Sequence, residues 1–105
     1  MVSTPQLIMC YVTCPNDQVA TQIAGALVSE KLAACCKIVP GVKSIYEWEG
    51  KIEESLEHLV IIKTQAHLFN KLSARVKALH PYDVPEVIAS PIEHYEPTYG
   101  QWVID

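Results

Sequence analysis

VKSIYEWEGKIEESLEHLVIIKT, residues 42–64, alternates polar and apolar side chains on both sides of Glu49-Gly50-Lys51. Alternation with period two marks strands with one face buried, and a glycine between two such runs supplies a hairpin turn. The stretch therefore predicts two long antiparallel strands. Just upstream, Pro40-Gly41 interrupts the first of them. Proline withholds a ladder hydrogen bond and glycine permits a bulge, so this arm is expected to bend or restart there.

On the N-terminal side, Leu7 to Thr13 is a continuous apolar run that ends at TCPND, where Pro15 stops a strand and Asn16 or Asp17 caps a following helix. Val19, Ile23, Ala24, Leu27, Val28 and Leu32 recur at helical spacing and predict about four turns with one apolar stripe. On the C-terminal side, Thr64 reads as an N-cap before Leu68, Leu72, Val76 and Leu79, a second amphipathic helix that must end before Pro81. EVIASPI, residues 86–92, is a short strand, and EPTYGQWVID supplies one helical turn on Tyr99, Trp102 and Val103.

The predicted fold is α+β: a ferredoxin-like βαββαβ sandwich of residues 1–105 as one domain, with a long central β-hairpin and a short C-terminal helix. Both LIMCYV and LVII are apolar at consecutive positions, which predicts central strands buried on two faces. Two helices cover only one face. A second chain is therefore expected on the other, with the arm bearing Ile45, Tyr46 and Trp48 as its contact, and a homo-oligomer follows.

Composition excludes several roles. Within 105 residues, 8 basic against 12 acidic side chains give a net charge of −4, which argues against nucleic-acid or anionic-membrane partners. The aromatic and basic sheet motifs of RNA-recognition domains are also missing. No apolar run is long enough to span a bilayer, and the N-terminal MVSTPQ lacks the basic start and apolar core of a signal peptide, so a cytoplasmic protein is expected. Cys10, Cys14, Cys35 and Cys36 contain no C-x-x-C and lie in apolar surroundings, as suits a reducing compartment. A metallochaperone of this strand order carries two cysteines after the first strand, and only Cys14 stands there.

VTCPND, LVSEKLAACCKIVPGVKSIYEWEGKIEES, IIKT, LHPYDVPEVIASPI and YGQW occur in an order and spacing that resemble the CutA family of divalent-cation tolerance proteins, from about Leu7 to Trp102. The resemblance implies a ferredoxin-like subunit, a tight homotrimer with strand pairing between subunits, binding of copper or other divalent cations in some members, and no established catalytic activity. It also implies a ligand set of one cysteine at the end of the first strand and two adjacent histidines before Pro-Tyr. Those positions here read Val12, Leu79 and His80.

His80 is thus the one retained metal-ligand candidate, with Cys14 two residues beyond Val12 on the same strand face as a shifted partner; imidazole suits Cu(II) and a thiolate suits Cu(I). The plainer role for His80 is to bond the end of its own helix or the core. Asp83 and Glu86 are candidate oxygen ligands, although Asp in a proline-rich turn commonly satisfies its own backbone. His80 with Glu86 is the one acid/base pair available, and no activated nucleophile accompanies it, so the chain is not expected to be an enzyme. Lys63, Tyr82 and Glu86, with His80, form an alternative site: a cleft between subunits for a small anion or metabolite. Against metal response by a trimer stands a metal-independent trimeric sensor or protein-interaction scaffold.

Overall fold

The computed structural model describes residues 5–105. Residues 1–4, part of the stretch read above for a targeting signal, lie outside the described residues. The elements run β1 (Leu7–Cys14), α1 (Asp17–Ser29), β2 (Cys35–Trp48), β3 (Lys51–Gln65), α2 (Phe69–Leu79), β4 (Val87–Ile92) and α3 (Pro97–Ile104). The sheet order is β2-β3-β1-β4, and every pairing is antiparallel. This is the expected ferredoxin-like arrangement. Among the described residues, no helix is long and apolar enough to cross a membrane.

The opening stretch forms the hairpin, with Trp48 paired to Lys51 across a two-residue turn. Both turn residues are left-handed, Glu49 at φ 51° and Gly50 at φ 79°, the requirement of a hairpin turn whose twist matches its strands. Pro40-Gly41 sits in a register shift between Val39 and Val42, with Gly41 at φ 73°. The bulge falls where the sequence placed it.

Asn16 caps α1 by accepting from the Val19 N–H at 2.9 Å. Ala20, Ile23, Ala24 and Leu27 of α1 join Leu72 and Val76 of α2 over Cys10, Val12, Val60 and Ile62, so the core lies on the even-numbered face of β1 and β3. Helix α1 ends earlier than its apolar stripe. Lys31 adopts φ 59°, and the Lys31 and Leu32 N–H groups return to the Val28 and Leu27 carbonyls, a terminating pattern that folds Leu32 back onto the core.

Thr64 does not cap α2. It belongs to β3, is 2% exposed, and its hydroxyl donates to the Leu32 carbonyl at 2.7 Å. A buried hydroxyl takes the nearest orphan acceptor, here the chain leaving α1, and the helix instead starts through a 3-10 turn at Ala66–Leu68. The second face of the sheet is only partly covered in the single chain. Met9, Tyr11, Leu59 and Ile61 are half-buried in the single chain, and α3, two turns rather than one, covers that face only at one end.

Beyond Cys14 paired with His58, β1 ends, and residues 42–57 continue as a two-stranded ribbon. On it Ile45, Trp48, Ile52 and Leu56 are each more than 60% exposed. A ribbon of two strands has little to hold it in water unless something packs on it.

Candidate functional site

The connection 80–86 is fixed by His80, which ends α2 with extended backbone and is 7% exposed. Its Nε2 lies 2.8 Å from the Thr13 carbonyl, and the Tyr82 N–H points at its Nδ1 at 3.2 Å. A carbonyl only accepts and a backbone N–H only donates, so the ring is the neutral tautomer with hydrogen on Nε2. The His80 and Tyr82 rings also pack, with centroids 4.7 Å apart. Imidazole therefore ties the end of β1 to the start of the connection, and neither nitrogen has a lone pair to spare in this arrangement.

Cys14, the other metal candidate, is fully buried on the core face of β1. Burial pushes its thiol up to about 11, with the Glu57 charge as a second cause. It is a thiol at neutral pH, not a thiolate ready for metal. Its cross-strand partner is His58, whose Nδ1 is buried with no hydrogen bond. Among the described residues, no three His, Cys, Asp or Glu side chains converge as a metal site would need.

Of the cleft residues, Tyr82 and Glu86 come together and Lys63 does not join them in one chain. Lys63 lies opposite Met9 and Cys35, with its Nζ 5.5 Å from the Tyr99 ring centroid on α3. Five residues of β3 lie between it and Glu57, so the two are about 20 Å apart along the strand. Tyr82 and Glu86 instead line a cleft of about 430 Å³ with Thr13, Tyr46, Trp48, Glu57, Asp83 and Val84. Its walls are the end of β1, the ribbon from Glu57 at its root to Trp48 beside the turn, and the 80–86 connection.

Glu57 is the residue that sequence reasoning missed. It is 6% exposed, yet it opens on this cleft. The signal was present in its row: along β3 it shares a face with Leu59 and Ile61, so a carboxylate stands where alternation calls for an apolar side chain. Tyr82 lies close enough that its hydroxyl pKa is raised, first by burial and then by the Glu57 charge.

Residues 8–105 match the family model described as CutA1 divalent ion tolerance protein. The chain belongs to that family. It is 53% identical over 93 residues to Protein CutA of Mus musculus and 50% identical over 101 residues to Protein CutA 1, chloroplastic, of Oryza sativa, covering 89% and 96% of this chain. It spans 52% and 57% of those two relatives, about half their length. The Divalent-cation tolerance protein CutA of Thermus thermophilus is 52% identical over 92 residues, 88% of this chain and 89% of that protein. The crystal structure of CutA1 from Oryza sativa superposes with a TM-score of 0.94 at 50% identity, covering 96% of this chain and 93% of that one. The CutA assignment read from VTCPND through YGQW is thus established, and with it the ferredoxin-like fold.

Proposed function

We propose that this CutA chain serves the response to divalent metal ions as a cytoplasmic homotrimer whose working site is the Glu57 cleft, and that it is a binding module rather than an enzyme. The observation that carries the reading is the convergence of Tyr82 and Glu86 with Glu57, Tyr46 and Trp48 on one cleft, while His80 spends both ring nitrogens on backbone. Assembly is supported by the ribbon of residues 42–57, whose exposed Ile45, Trp48, Ile52 and Leu56 need cover that one chain does not provide. Cleft and ribbon share Tyr46 and Trp48, so assembly and ligand binding act on the same side chains.

Copper at His80 with Cys14 is the competing form of metal response. It requires His80 to give up the Thr13 carbonyl or the Tyr82 N–H, and Cys14 to lose a firmly held proton. Two measurements test the proposed reading. Light scattering should give three times the 11.7 kDa of one chain, and Trp48 fluorescence should change saturably with some small molecule in the parent but not in Tyr82→Ala. A monomer, or a cleft silent to cationic, anionic and neutral probes alike, would overturn it.

A further inference from the structure

We infer that this chain forms no copper site at the position its family resemblance implies, and that the residues standing there serve packing and bracing instead. This does not depend on ligand binding in the Glu57 cleft, and the contacts involved lie within one subunit.

Two of the three implied ligand positions hold hydrocarbon. Val12 is fully buried on the core face of β1, in one cluster with Cys10, Cys14, Ala20 and Val76, and Leu79 packs against that cluster from the last turn of α2. Neither side chain has a lone pair, whereas copper and zinc sites are built from thiolate, imidazole and carboxylate donors. Cys14 does not make good the loss. It stands two residues beyond Val12, about 7 Å along the strand, opposite His58. Among the described residues, no three His, Cys, Asp or Glu side chains converge there.

The third position keeps His80, and the bonds of its ring decide whether it can still serve. A histidine that binds metal through one ring nitrogen commonly donates from the other to a carbonyl, which fixes the ring. The Nε2 bond to the Thr13 carbonyl at 2.8 Å has that form. Metal would then need Nδ1. There the Tyr82 N–H points at the lone pair from 3.2 Å, and the Tyr82 ring packs on the imidazole with centroids 4.7 Å apart. Entry at Nδ1 strands the Tyr82 N–H, and entry at Nε2 strands the Thr13 carbonyl. One imidazole without the two lost donors does not offset that. The imidazoles exposed in this chain are His67 and His94, so adventitious copper is expected on those.

The experiment takes the full chain, reduced and under argon, with isotope-labelled histidine nitrogens, and adds cuprous or zinc ion up to one ion per subunit. Nitrogen chemical shifts report which ring nitrogen carries hydrogen and whether a metal has replaced it. His58→Gln, His67→Gln and His94→Gln assign three rings and leave His80 by elimination, so no variant at His80 has to fold. The expected result is a His80 ring that keeps hydrogen on Nε2 and a bare Nδ1 throughout, with metal-dependent shifts confined to other rings. Copper affinity by chelator competition should stay within about twofold of the parent in Cys14→Ser. Metal-shifted His80 nitrogens at one ion per subunit, or affinity about tenfold or more weaker in Cys14→Ser, would overturn the inference and restore a copper site around His80. Either result leaves the cleft titration with Tyr82→Ala to succeed or fail by itself.

Discussion

The imidazole of His80 stands 2.8 Å from the carbonyl of Thr13, sixty-seven residues earlier, and that contact places the 80–86 connection over the end of β1. It converts a residue that resembles a family metal ligand into a brace for the cleft wall.

His80→Ala should therefore cost stability without any metal present. It strands the Thr13 carbonyl and the Tyr82 N–H, and an unsatisfied buried group costs about 1–3 kcal/mol. A loss of about 3 kcal/mol in chemical denaturation of metal-free protein is expected. A variant as stable as the parent would remove the bracing role.

The thiols set the alkaline limit. Burial raises Cys10 and Cys14 from an ordinary 9.0 to about 11 and Cys36 to about 12. A folded-state pKa above the unfolded one favours folding below the unfolded value, and that contribution is lost as pH rises through the folded value. Stability should hold below about pH 9 and decline between there and about 12, and the decline should shrink in Cys36→Ala. In the native protein at pH 8, Cys10, Cys14 and Cys36 should resist alkylation until denaturant is added.

Two positions carry side chains in backbone that favours glycine or asparagine. Lys31 ends α1 at φ 59° and Glu49 opens the hairpin turn at φ 51°. Lys31→Gly and Glu49→Asn should each stabilise by about 1 kcal/mol, read as a shift in denaturation midpoint. Loss of stability in either would mean that the side chain makes a contact outweighing its backbone strain.

Gly100 should be intolerant for a different reason. A Cβ there would run into the ring of Tyr95, so Gly100→Ala must push that ring aside or shift α3. Destabilisation of about 1–3 kcal/mol is expected, as for other overpacked sites, and Tyr95→Ala should relieve it.

Much of this molecule was legible before its coordinates. The hairpin, the Pro40-Gly41 bulge and the Asn16 cap follow from period, turn chemistry and capping, all local in sequence. What failed was long-range. Thr64 has the chemistry of a cap, and only the fold brings the Leu32 carbonyl within its reach. Lys63 is a different case: within one chain it lies toward Tyr99 of α3, and the cleft it was read for is one between subunits, which a single chain does not bring together. Glu57 was visible as a charge in an apolar row, but only the fold brings Tyr82 of the 80–86 connection to the same cleft.

The most direct measurement is native mass spectrometry of the reduced protein with and without copper, for the parent and for His80→Ala. Trimers whose copper load is the same in both proteins are the expected result, since His80 is committed to Thr13 and Tyr82. About one copper per subunit in the parent and none in His80→Ala would contradict that assignment and return the metal site to His80.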